Sequence, residues 1–222
     1  MGKSLVHQLQ KKLPEKHDIL GREEYFSSAV LVPLVMLDSK LQFLFEKRAP
    51  HIKQGSEICF PGGHYDAEVD VAYLDTALRE TEEELGISRD LIEIIGQLDT
   101  IVSPRGIIVE CFLAHITIES LDQLTLDREE VDEVFTVPVT WFQQNPPDIY
   151  RTRVEIQSSY IDGDGSRRVL LPVDELGLPQ RYKKNRSEWL HRVAVYQRKP
   201  DIIWGLTAAV VDNLIRKIFS VQ

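Results

Sequence analysis

Residues 79–87 read Arg79-Glu80-Thr81-Glu82-Glu83-Glu84-Leu85-Gly86-Ile87, and Phe60-Pro61-Gly62-Gly63 stands upstream of them. Glu80, Glu83 and Glu84 are spaced i, i+3 and i+4, so a helix brings their carboxylates to one face. Like charges at that spacing repel by roughly 0.2–0.5 kcal/mol per pair. Such a face is either a solvated surface or a seat for a cation. Hard divalent ions such as Mg²⁺ take oxygen ligands of this kind beside waters and substrate phosphates. Val71, Leu74, Leu78 and Leu85, with Ala77 and Thr81 between them, mark a second face that buries while the glutamates stay in water. Gly86 stops the helix where a left-handed residue is usual. Gly62 and Gly63 permit a tight turn and a close approach of backbone to ligand. The local order is therefore strand, glycine turn, carboxylate helix, stop.

Outward from this unit the pattern alternates between strands and helices. Residues 4–13 read as a short amphipathic helix ending before Pro14. Phe26 to Met36 is an apolar run suited to a buried strand. Asp38-Ser39 turns the chain into a second strand from Leu41 to Lys47, a hairpin. Residues 49–57 form a loop. Ile92 to Val102 and Ile107 to Ile118 read as two strands joined through Ser103-Pro104-Arg105-Gly106. Asp127 to Asp132 is an acidic turn before Val131 to Pro138. Asn145-Pro146-Pro147 opens an added element. There, Tyr150 to Tyr160 and Arg167 to Leu171 suggest a hairpin about Asp162-Gly163-Asp164-Gly165, a plain turn rather than a calcium loop. Arg192 to Arg198 is a further strand. Leu206 to Phe219 is a closing helix with Leu206, Val210, Leu214 and Ile218 facing in. Pattern alone gives an α/β or α+β chain with a mixed sheet.

The chain has 222 residues, 43% of them hydrophobic, enough for a packed core in one domain or one domain with an extension. Its net charge of −9 disfavours broad nucleic-acid binding, which needs clustered cations. A small phosphorylated substrate is compatible with that charge, because a metal and a few local cations override the global sign. Cys59 and Cys111 read as buried free thiols rather than a disulfide framework. No apolar run approaches a membrane span, and a cytoplasmic protein without a membrane partner is expected.

The glycine turn and the Arg-Glu run resemble the signature box of the Nudix hydrolases, in which a glycine is followed by an acid and then by Arg-Glu-apolar-x-Glu-Glu-x-Gly-apolar. Residues 79–87 fit its second half, with Thr81 at a normally apolar place. The first half departs: the interval from Gly63 to Arg79 is longer than in the family. The usual first glutamate position falls on Val71, and Asp66, Glu68 or Asp70 could take its role. A second resemblance, to the coenzyme A diphosphatases, is carried by Leu44-Phe45-Glu46-Lys47-Arg48-Ala49, by Gly55 to Gly63, and by Ile203-Trp204-Gly205-Leu206-Thr207-Ala208.

These resemblances imply an α/β/α sandwich around a mixed sheet, with C-terminal strands and helix added. The domain would be single, with its core at about 25–145 and an extension at about 146–222. They imply Mg²⁺ or Mn²⁺ held by Glu80, Glu83 and Glu84. Arg79, next to Glu80 but pointing elsewhere on the helix, would brace the glycine loop and a ligand carboxylate. Glu130, or its neighbour Glu129, would complete the catalytic set as general base. Arg48, Lys53, Gly62 and Gly63 would meet the substrate, Arg48 and Lys53 at phosphates outside the scissile pair. The implied substrate is a small nucleoside diphosphate derivative, coenzyme A or acyl-CoA first. ADP-ribose, dinucleoside polyphosphates and nucleoside triphosphates are the alternatives, as is a non-catalytic ligand sensor. Between Asn145 and Pro200, Arg151, Arg153, Arg167, Arg168, Arg181, Lys183, Lys184 and Arg186 form a basic excess. It serves equally well to steer a polyanion or to form a homodimer interface.

Overall fold

The computed structural model describes residues 2–13, 18–183 and 186–219. In chain order the elements are α1 (Gly2–Lys12), β1 (Phe26–Leu37), β2 (Lys40–Arg48), β3 (Ile58–Cys59), β4 (Gly62–His64) and α2 (Tyr73–Leu85). There follow β5 (Ile92–Gln97), β6 (Ile101–Ser103), β7 (Ile107–Ile116), β8 (Val131–Pro138) and α3 (Val139–Gln144). The chain closes with β9 (Asp148–Ile156), β10 (Ser159–Ile161), β11 (Arg167–Val169), β12 (Arg186–Arg198), β13 (Asp201–Trp204) and α4 (Gly205–Lys217).

The long apolar run of β1 becomes a central strand, buried on both faces. It pairs in parallel with β7, from Phe26 against Ile107 to Val35 against Ile116. The sheet runs β3-β2-β1-β7-β5, with β4 beside β1, β6 beside β7 and β8 beside β2. Asp38 and Ser39 both take positive φ, 50° and 58°, as a two-residue hairpin requires, and they join β1 to β2.

Side chains alternate across this sheet and build two cores. On one face Ala29, Leu31, Leu44, Phe112 and Ala114 pack beneath Ala77, Leu78 and Leu85 of α2. On the other, Phe43, Phe45, Phe60 and Val137 meet Phe142 of α3, Tyr196 and Ile203 of the C-terminal strands, and Val210, Val211 and Leu214 of α4. A mixed sheet between helices, with strands and a helix added at the C-terminal end, is the expected fold class. Among the described residues no helix is long and apolar enough to cross a membrane.

Four local expectations change. The strand expected over 92–102 is two, β5 and β6, both paired with β7 and separated at residues 98–100; a bulge between Ile94 and Gly96 lies within β5. The segment between the two strands is tied elsewhere: Asp99 pairs with Asn213 and Lys217 of α4, and Thr100 with Glu110. The expected hairpin of 150–160 with 167–171 shrinks to β10 against β11, while β9 pairs with β12 over a much longer register. Ile218 is 56% exposed, lying past the end of α4. Val71 precedes α2 and is 92% exposed, so it forms no part of that helix's buried face.

Candidate active site

Helix α2 begins where Asp75 Oδ2 accepts the Ala72 N–H at 3.0 Å, satisfying a donor that the first turn leaves free. Its acidic residues meet the glycine turn directly. Gly62 has φ 151°, and a Cβ there would lie 2.3 Å from the Ala29 carbonyl oxygen. A Cβ on Gly63 would lie 2.3 Å from the Glu80 carboxyl carbon. The turn thus needs glycine twice, once for the strand pairing and once for the carboxylate seated on it. Glu84 completes the contact, its Oε2 accepting the Gly62 N–H at 2.9 Å.

Arg79 organises the other side. Its Nε and Nη2 donate to Asp70 Oδ1 and Oδ2 at 3.1 and 3.0 Å. Nη1 donates to Glu80 Oε1 at 2.8 Å and to Glu83 Oε2 at 3.0 Å. Arg79 therefore binds Glu80 rather than pointing away from it. Asp70 is buried and also accepts the Thr76 hydroxyl at 2.8 Å. The Arg79 fork, against the opposing effect of burial, holds the Asp70 carboxyl at about 2. Of Asp66, Glu68 and Asp70, only Asp70 meets the arginine; Asp66 instead accepts the Glu68 N–H at 2.9 Å.

The glutamates do not all stay in water. Glu84 is 2% exposed. Burial, and then repulsion from Glu46, raise its pKa. Burial raises Glu80 as well, with Arg79 opposing and Glu83 and Glu130 adding repulsion. Glu46, a site residue that sequence reasoning passed over, lies on β2 opposite Cys59. It is fully buried, and burial raises its pKa. The Cys59 thiol donates to Glu46 Oε1 at 3.1 Å. The signal for it was strand alternation: Leu44, Glu46 and Arg48 share the face that α2 covers.

Arg48 lies in this cluster. Its guanidinium lies beside Cys59, Glu84 and Glu46, and donates from Nε to the Lys53 carbonyl at 3.2 Å. Lys53 itself is exposed. Glu130 interacts with both Glu46 and Glu80. Glu129 instead lies 3.6 Å from His51. Much of the basic excess is paired locally: Arg153 with Glu155, Arg168 with Asp162, Lys183 with Asp174. Lys184 lies outside the described residues.

Among the described residues no group of three or more His, Cys, Asp or Glu is arranged to hold a metal ion. Glu80 is turned to Arg79 and Glu84 to Gly62. The donor set nevertheless suits a hard cation. It is made of carboxylate oxygens, partly buried and mutually repelling, and one of them, Glu46 Oε2, is buried without a hydrogen-bond partner.

Residues 27–193 match the NUDIX domain family. The chain is 35% identical over 147 residues to Nudix hydrolase 3 of Caenorhabditis elegans, a match covering 62% of this chain and 60% of that protein. The chain thus spans less than two thirds of that relative's length. It is 26% identical over 227 residues to a protein named uncharacterized Nudix hydrolase NudL in Yersinia pestis (strain Pestoides F), covering 96% of this chain and 92% of the relative. Among solved structures, the NUDIX domain of Shewanella oneidensis NrtR complexed with ADP ribose is 19% identical with TM-score 0.43, over 64% of this chain and 87% of that one. A Caenorhabditis elegans Ap4A hydrolase binary complex is 22% identical with TM-score 0.42, over 51% and 80%.

Proposed function

Because the chain belongs to the NUDIX family of hydrolases, we propose that it cleaves a diphosphate bond in a nucleoside diphosphate derivative, with coenzyme A or an acyl-CoA as substrate. The products are 3′,5′-ADP and 4′-phosphopantetheine or its acylated form. The observation that carries the hydrolytic reading is the seating of Glu80 and Glu84 on the Gly62-Gly63 turn, with Arg79 locked to Asp70 behind them. The narrowing to coenzyme A is supported by the resemblance of residues 44–49, 55–63 and 203–208 to the coenzyme A diphosphatases. We assign residues 25–145 to the catalytic core of a single cytoplasmic domain and residues 146–222 to an extension.

Glu80, Glu83 and Glu84 would hold Mg²⁺ or Mn²⁺. When bound, such a cation supplies charge neutralisation at nonbridging phosphate oxygens and lowers the pKa of a water. The chain's own residues do the rest. Arg79 fixes the direction of Glu80 and Glu83 through its fork. Gly62 and Gly63, whose missing side chains make room for β1 and for the Glu80 carboxylate, would meet the substrate through the backbone of the turn. Arg48 adds positive charge beside Glu84, where it can meet a phosphate oxygen. Glu130 takes the proton of the attacking water as the new P–O bond forms and the bridging P–O bond breaks. Lys53, exposed on its loop, would be an outer contact for the substrate's remaining phosphate.

Turnover on coenzyme A, acyl-CoA, ADP-ribose and diadenosine polyphosphates, with and without Mg²⁺ or Mn²⁺, tests this reading. Coenzyme A is expected to be cleaved fastest, and only with metal. Glu84→Gln is expected to lower kcat by about a thousandfold, roughly 4 kcal/mol of transition-state stabilisation, without loss of fold. Binding of these compounds without turnover of any would replace the enzyme with a ligand sensor.

A further inference from the structure

We infer that Glu46, on β2, is itself a ligand of the cation, supplying Oε2 from the sheet to the site that α2 forms. This rests on the reading that Glu84 and its helix neighbours hold a divalent cation. Glu46 is 0% exposed and sits inside the sheet, paired with Cys59 on one side and Val134 on the other. It shares a face with Leu44, which packs under α2, whereas Lys47 points to the opposite face and pairs with Glu133. Its side chain interacts with that of Glu84.

Two buried carboxylates outside the site, Glu110 and Asp212, show what a structural carboxylate looks like in this chain. Glu110 accepts from Arg22, Gln97 and Thr100, at 2.8, 3.0 and 2.6 Å. Asp212 accepts from Arg192 and Arg216 at 2.8 and 3.1 Å. Glu46 receives the weak thiol donor of Cys59 on Oε1 and neighbours the Glu84 carboxyl, and among the described residues Oε2 is the one buried carboxylate oxygen without a donor in hydrogen-bond geometry. A buried, unpaired carboxylate oxygen is strongly unfavourable, and a second carboxylate beside it makes it more so. A cation between Glu46 and Glu84 removes both penalties at once. Arg48 offsets part of this charge from beside both carboxylates, yet its hydrogen bond from Nε goes to the Lys53 carbonyl and leaves Glu46 Oε2 without a donor.

The test uses Mn²⁺ alone on the full chain. Its affinity is read from the free-ion electron paramagnetic resonance signal. The number of waters on bound Mn²⁺ is read from line broadening in ¹⁷O-enriched water. Glu46→Gln is expected to weaken binding by at least the roughly 100-fold that outer-shell partners reach at most, and to raise the water count by one. Should Glu46→Gln not fold, Glu46→Asp withdraws the same oxygen and is read in the same way. An unchanged water count, at any affinity, overturns the inference and leaves Glu46 a positioning residue. Glu84→Gln keeps the two readings apart. If it too leaves Mn²⁺ binding unchanged, the metal site on α2 fails; if it weakens binding while Glu46→Gln leaves the water count unchanged, only the role of Glu46 fails.

Discussion

Asp70→Asn isolates the anchor behind the carboxylate helix. Asp70 takes both arms of the Arg79 fork, at 3.1 and 3.0 Å, and the Thr76 hydroxyl at 2.8 Å. Together they hold its carboxyl at about 2, against an ordinary value of 3.8. That gap corresponds to roughly 2 kcal/mol of folding free energy. The folded-state value is the depressed one, so this stability is fully present above the ordinary pKa and is lost as pH falls through the folded one. Asparagine offers one acceptor oxygen where the carboxylate offers two, and turns an amide donor toward a guanidinium. Urea denaturation of the metal-free protein is therefore expected to show Asp70→Asn less stable by about 2 kcal/mol at pH 7, with about half of that gap gone by pH 3. A gap below about 0.5 kcal/mol at neutral pH would mean that the pair behaves as an exposed salt bridge. A gap that does not shrink in acid would mean that the loss is one of packing, not of charge. Either result refutes the anchor.

Gly63→Ala is expected to fold but to displace Glu80, so that metal-dependent turnover falls by about tenfold or more. Gly62→Ala places its Cβ 2.3 Å from a backbone oxygen and is expected to destabilise the fold severely, seen as a drop in Tm. Arg48→Ala is expected to slow coenzyme A and dephospho-coenzyme A alike, because its guanidinium sits among Glu46, Cys59 and Glu84; loss confined to coenzyme A would show that it reads the 3′-phosphate instead. Charge reversal at Arg181 and Lys183 is expected to raise KM with unchanged kcat, most at low salt. Altered sedimentation with an unaltered KM would make that segment a homodimer interface.

What the sequence made legible was local. The hairpin at Asp38-Ser39, the helix of residues 73–85 and the stop at Gly86 each depend on neighbours a few residues away, and turn chemistry or helical spacing specifies them. The partner of Arg79 was not legible, because the segment between Gly63 and Arg79 departs from the family spacing and three acids compete within it. Only the path of that segment brings Asp70 under the guanidinium. Glu46 was hidden for a longer-range reason. On β2 it reads as one charge among Glu46, Lys47 and Arg48, and its meaning depends on β3 and α2 arriving from later in the chain. The pairing of β9 with β12, about 40 residues apart, was invisible in the same way, and a nearby turn supplied a false partner.

The geometry of α2 also explains why its three glutamates are not equivalent. At about 100° per residue, Ala77, Leu78, Thr81 and Leu85 centre the buried face. Glu84 falls on the rim of that face, Glu80 just beyond it, and Glu83 further round toward solvent. Exposure follows the same order: 2% for Glu84, 16% for the Glu80 side chain and 58% for that of Glu83. A carboxylate can be tolerated on the buried rim only if something there receives it, and the Gly62 N–H and the Arg48 guanidinium do so against burial and the repulsion of Glu46. The spacing that makes the helix look like a solvated acidic surface therefore drives one of its carboxylates into the sheet, beside Glu46. The apolar face and the acidic face, read as separate stripes in the sequence, overlap at Glu84, and that overlap is where a cation has most to neutralise.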